Sequence, residues 1–190
     1  MHLTHGYDLT TAITNLFIFV TSVYGFIKIK DKKWKLFYLF MSIDSLLGAL
    51  VHGIYLSMET SLILWLILAV FFTITINTLF SIFLKFKIRY IIILSVLLSI
   101  LVIVQLHFDF NFILTFALYV LVVILICIYH LFKDTYPNKN YFIYGFISQV
   151  IGGIIMLSKI KISILDHNGI YHLFMVLTLI FFYIGITKKK

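Results

Sequence analysis

Apolar residues run through this sequence in stretches of about twenty, separated by short clusters rich in lysine. A helix needs about 20 mostly apolar residues to cross roughly 30 Å of hydrocarbon. Seven stretches meet or approach that length, at 8–29, 36–56, 61–84, 90–106, 111–132, 141–157 and 169–187. The breaks between them are chemically sharp. Lys30-Asp31-Lys32-Lys33 closes the first, Lys85-Phe86-Lys87-Ile88-Arg89 the third, and the segment from Lys133 to Lys139 the fifth. With 63% of its residues hydrophobic and 12% charged, the chain lies far from the roughly 25% charged composition of soluble domains. A water-soluble fold of this length has no interior large enough for so much hydrocarbon. The stretches are continuously apolar and lack the period-two alternation of barrel strands. The sequence therefore predicts an all-α polytopic membrane protein, a single domain of seven transmembrane helices over residues 1–190. The first stretch is too long, and too poor in preceding positive charge, to be a cleaved signal peptide.

The basic residues then report orientation. Lys28, Lys30, Lys32, Lys33 and Lys35, then Lys85, Lys87 and Arg89, then Lys133 and Lys139, and finally Lys188, Lys189 and Lys190 all fall on one side of a seven-span chain. Only Lys159 and Lys161 fall on the other. The positive-inside rule places the amino terminus outside and the carboxyl terminus in the cytoplasm. The basic clusters are accounted for by topology and by anionic lipid head groups, and nucleic acid is excluded as a partner. Cys127 is the sole cysteine, so no disulfide framework exists.

Orientation makes the histidines informative. His2, His5, His52, His107, His167 and His172 lie in outer loops or outer helix ends, and only His130 lies opposite. His52 and His172 sit within apolar helical sequence, where ionisable groups usually face a bundle interior or a cavity. The second stretch also carries Asp44, eight residues before His52 and so about 12 Å deeper along a helix. Ser45, Gly48 and His52 share one face, with Asp44 at its edge. Asn15, Asn77 and Gln149 are further deep polar residues, each explicable as an interhelical hydrogen-bonding group. The seventh stretch opens Asp166-His167-Asn168-Gly169-Ile170-Tyr171-His172. Asn168 and His172, four apart, share a face. If the helix begins only at Asn168, the preceding loop can swing His167 toward a metal.

A histidine late in the second of seven spans, and a four-apart polar pair opening the seventh, resemble the CREST superfamily. That group holds the alkaline ceramidases and the progestin and adiponectin receptors. The sequences Thr11-Ala12-Ile13-Thr14-Asn15, Gly48-Ala49-Leu50-Val51-His52-Gly53 and Asn168-Gly169-Ile170-Tyr171-His172 look closest to a bacterial branch of it. The resemblance implies a seven-helix zinc amide hydrolase in a bacterial cytoplasmic membrane, with His52 and His172 at two of the family's ligand positions. The family's other seventh-span histidine corresponds to Asn168, its serine to Gly48, and its third-span aspartate has no counterpart here.

On this reading His52, His172 and His167 hold zinc, and Asp44, as the deep carboxylate, serves as base or proton shuttle. The substrate is a lipid amide or ester, or another amphiphile, entering between helices near the outer face. The alternative is a non-catalytic, receptor-like or lipid-binding seven-helix protein whose polar residues hold the bundle together. Haem ligated by His52 and His172 is a third possibility. One prediction precedes any structure: reporter fusions at the two termini should place them on opposite sides of the membrane, and a same-side result would end the seven-span topology.

Overall fold

In a computed structural model the chain is all-helical. The structure describes residues 8–85, 112–134 and 136–188, with four further helical positions at Ile93, Val96, Leu97 and Ile100. Six helices are described: α1 (Leu9–Lys28), α2 (Lys32–Gly53), α3 (Met58–Leu84), α4 (Phe112–Lys133), α5 (Lys139–Ser158) and α6 (His167–Thr187). Five of them, α1, α2, α3, α5 and α6, are long and apolar enough to cross a membrane. The remaining one, α4, is apolar along Leu118–Lys133. The expected span at 90–106 lies outside the described residues apart from the four positions just named.

Helix starts follow capping chemistry more closely than hydropathy. Asp31 accepts from the Lys33 and Trp34 amides, Ser57 from the Thr60 amide, and Asp166 from the Gly169 amide. Each cap satisfies donors that the first turn leaves orphaned. As a result α2 begins at Lys32 rather than 36, and α6 begins at His167 rather than 169. His167 is therefore the first helical residue and no longer a free loop group.

Neighbours in sequence are neighbours in space, and α1 closes the arrangement against α6. The helix ends sort by charge. Lys85 forms an ion pair with Asp134 at 2.8 Å, Lys33 Nζ donates to the Ser81 carbonyl at 3.5 Å, and Lys188 Nζ donates to the Tyr141 hydroxyl at 2.8 Å. These contacts gather the ends of α3, α4 and α6 and the starts of α2 and α5 at one basic end. His52, His167 and His172 lie at the opposite end.

An aromatic cluster holds the basic end. Trp34 stacks on Phe142 at 5.5 Å between ring centroids and meets Phe37, Phe83 and Phe182 edge-on at 5.6–5.8 Å. These rings come from α2, α3, α5 and α6. Deeper in, the fully buried Tyr38 donates to the Leu179 carbonyl at 2.6 Å, joining α2 to α6. Gly25 makes room for that ring, since the Tyr38 side chain fills the place a Cβ would take.

Aromatic-to-alanine changes in packed cores cost about 3–5 kcal/mol. Trp34→Ala should therefore lower the thermal unfolding midpoint in detergent strongly, and Trp34→Phe, which keeps a ring, much less. Equal midpoints for the two variants would show that the cluster does not hold these helices together.

Candidate functional site

Two groups of described polar side chains gather residues from several helices. The first lies at the end opposite the lysines, where α1, α2 and α6 meet. Asp8 caps α1 through the Thr11 amide at 3.1 Å, and its carboxylate also accepts from the Thr10 and Thr11 hydroxyls at 2.7 and 2.5 Å. The Asp8 amide in turn donates to the His52 carbonyl at 2.9 Å, tying the start of α1 to the end of α2. The Thr11 hydroxyl also lies 3.3 Å from Asp166 Oδ1, the cap of α6. One threonine thus bridges the capping carboxylates of two helices.

His172 reaches into this group from α6. The Thr14 hydroxyl donates toward the Thr10 and Thr11 carbonyls, each at 3.0 Å, and its oxygen lies 3.1 Å from His172 Nδ1. His52, whose ring meets Trp65 edge-on at 5.6 Å, is close enough to act electrostatically on both Asp8 and His172. Partial burial pushes the Asp8 carboxyl up, but the hydrogen bonds from Thr11 and Thr10, with His52 nearby, outweigh it and hold the group below its ordinary range.

The second group is deeper. Asp44 on α2 is 8% exposed, and its Oδ1 accepts no hydrogen bond among the described residues. It acts electrostatically on the hydroxyl of Tyr171, which accepts from Gln149 Nε2 at 3.0 Å. Gln149 Oε1 is likewise buried without a partner among the described residues. Tyr171 and His172 are adjacent on α6, their rings 5.6 Å apart, so the two groups abut.

The residues singled out in the sequence divide accordingly. His52 and His172 lie within electrostatic range of each other, as do Asp44 and Tyr171, and Gln149 bonds the Tyr171 hydroxyl. His167 Nδ1 lies 3.9 Å from Asp166, and Asn168 donates to the same carboxylate at 3.3 Å. Asn15 donates to the Thr11 carbonyl at 3.0 Å and packs against Gly48, where an added Cβ would stand 2.8 Å from its Oδ1. Ser45 bonds back to the Met41 carbonyl at 2.8 Å, and Asn77 accepts from Tyr119 across α3 and α4 at 2.5 Å. Among the described residues no three His, Cys, Asp or Glu side chains are arranged as a metal-ligand set. The zinc implied by the resemblance thus finds a histidine pair beside Asp8 but no complete triad.

Sequence reasoning missed Asp8, Thr11, Thr14 and Tyr171. A signal existed for the first three. Thr11, Thr14 and Asn15 fall on one helical face just after an acidic cap, a polar stripe in an otherwise apolar span. Tyr171 reads equally as an interfacial anchor.

Residues 10–190 match the Family of unknown function (DUF6962). The chain belongs to this family. The match covers every described helix except the first residue of α1, and it joins the chain to no activity and not to the CREST superfamily. No curated protein and no solved structure matches the chain.

The depressed Asp8 gives the bridge an acid limit. A lowered carboxyl stabilises the fold above its unfolded value, near 3.8, and that contribution is lost as pH falls through the folded value below it. Thermal midpoints measured from pH 5 down to pH 3 should fall less steeply in Asp8→Asn than in the wild type. Parallel curves would show that Asp8 carries no such linkage.

Proposed function

We propose that this chain is an integral membrane protein that binds the polar head group of a membrane amphiphile where α1, α2 and α6 meet. The observation that carries the proposal is the convergence of Asp8, Thr11, Thr14, His52, Asp166 and His172 from three helices otherwise rich in hydrocarbon. Polar residues at this depth mark ligand paths more often than lipid contacts. With neutral imidazoles the group is acidic, so it suits a head group bearing an ammonium or several hydrogen-bond donors. The two carboxylates supply the acceptors.

The same proposal includes a seven-helix bundle with the amino terminus outside, in a bacterial cytoplasmic membrane. The ends of α3 and α4 lie together through Lys85 and Asp134. That juxtaposition supports the connectivity of a seven-span bundle. The lysine-rich end faces the cytoplasm under the positive-inside rule.

A second reading, a zinc-dependent lipid amide or ester hydrolase, is favoured by one observation. Histidine ligands usually donate their other ring N–H to an oxygen, which fixes the tautomer. His172 Nδ1 lies 3.1 Å from the Thr14 hydroxyl, a contact that suits this arrangement. On that reading His52 and His172 would be two of the ligands, and zinc would supply an activated water. Asp44 stays with Tyr171 and Gln149, so it has no shown path to that water.

Two measurements separate the readings. Purified protein should be stabilised by dodecylamine more than by dodecanol, and His172→Ala or Asp8→Asn should abolish that difference. Equal stabilisation by both compounds in the wild type would refute head-group recognition. Stoichiometric zinc, lost in both His52→Ala and His172→Ala, would replace the binding reading with the hydrolase.

A further inference from the structure

A second site lies at the basic end. The ends of α3 and α4 and the turn into α5 enclose an open crevice of about 410 Å³ lined by Lys85, Lys133, Asp134, Tyr136 and Pro137. Its floor is fixed. Tyr136 donates its hydroxyl to the Ile82 carbonyl at 3.1 Å and packs on Phe83 and Phe142, at 5.5 and 6.0 Å between ring centroids. Those two rings belong to the Trp34 cluster, so the crevice is seated on that packed aromatic core.

Its charge is net positive. Asp134 is held below the ordinary carboxylate range by its hydrogen bond from Lys85, with His130 and Lys133 adding to the effect. It is therefore charged at neutral pH, yet it offsets only one of the two lysines. Lys85 is itself mostly exposed, with its side chain free to meet a second anion. Lys133 Nζ sits 5.9 Å from the centre of the Tyr129 ring, at the rim of the crevice.

An apolar track leads to that rim. On α4, Leu118, Val122, Leu125, Tyr129 and Phe132 recur at helical spacing on one face, and each is more than half exposed. Such a stripe takes acyl chain, while basic pockets between helix ends take anionic head groups. A soluble anion would use the crevice alone; a lipid would use both.

We propose that this crevice is a binding site for one anionic phospholipid, with its phosphate between Lys85 and Lys133 and an acyl chain along the exposed face of α4. The site is independent of the histidine end and of any function proposed there. Asp134 competes with the phosphate for Lys85, which makes it the residue that limits affinity.

The test uses the full chain purified in detergent, with bound lipid measured by native mass spectrometry. Dioleoyl phosphatidylglycerol should bind more tightly than dioleoyl phosphatidylcholine. Lys85→Gln with Lys133→Gln should weaken phosphatidylglycerol about 25-fold, about 5-fold per lysine, and leave phosphatidylcholine unchanged. Lys159→Gln with Lys161→Gln, an equal loss of charge at the other end, should have no such effect. Asp134→Asn should tighten phosphatidylglycerol, a change of opposite sign that remains readable if the lysine variants fold poorly. Equal losses from the two lysine pairs, or no gain in Asp134→Asn, would overturn the site. Inorganic phosphate displacing the lipid at equal concentration would overturn the acyl-chain half of the proposal.

Discussion

Hydrocarbon offers no water to replace a missing hydrogen bond, and the polar chemistry of this bundle follows from that. A helix meets the demand for its backbone by itself. Its hydroxyls must find partners too, and most turn back on their own helix. Thr73 donates to the Ala69 carbonyl, Thr75 to Phe71, Thr78 to Ile74, and Ser45 to Met41, at 2.7–2.9 Å. These residues are buried and polar, yet they bring no helices together. The threonine-rich run in α3 is thereby explained without any function.

What remains after this self-satisfaction is a short set of bonds that cross between helices, and these position the sites. Tyr38 reaches the Leu179 carbonyl, Tyr119 reaches Asn77, Ser148 reaches the Phe174 carbonyl at 3.1 Å, and His172 reaches Thr14. The first of these adjoins the aromatic cluster and fixes α2 against α6. With that end clamped, the opposite ends of the same helices hold His52 and His172 in a constant relation. Asp44 breaks the pattern. Its Oδ1 is buried without a partner among the described residues, which typically costs about 1–3 kcal/mol, and neither capping nor packing among them explains it.

The sequence made the helices legible because hydrocarbon thickness sets one length scale that composition must obey. It made their charged ends legible because lysines partition by side. Boundaries were less visible. Asp31, Ser57 and Asp166 extend α2, α3 and α6 beyond the apolar runs, because a cap satisfies backbone donors whatever the hydropathy of the first turn. The pairing of His52 with His172 could be anticipated from their position at the ends of their spans. The meeting of Asp8 with Asp166 could not, since 158 residues separate them and each is accounted for locally as a cap. Asp44 was expected to serve the histidines. It acts instead on Tyr171, one residue from His172, but a one-residue step turns a helix by about 100° and sends the two side chains to different groups.

The acidic character of the histidine end has a cause in the arrangement of the helices. α1 and α6 are adjacent and begin side by side, so their amino-terminal ends, each carrying about half a positive charge, face the same region. Two like dipole ends in low dielectric repel. Asp8 and Asp166 neutralise them, and Thr11 spans both carboxylates so that neither needs to turn away. The end of α2 adds its own partial negative charge there through the His52 carbonyl, which accepts from Asp8. Two full negative charges against two halves leave a surplus of the same sign. The binding proposed at this end would therefore favour positive charge or donors, and that proposed at the lysine end the reverse. Helix direction and capping thus add to the charge difference that the lysines set between the ends.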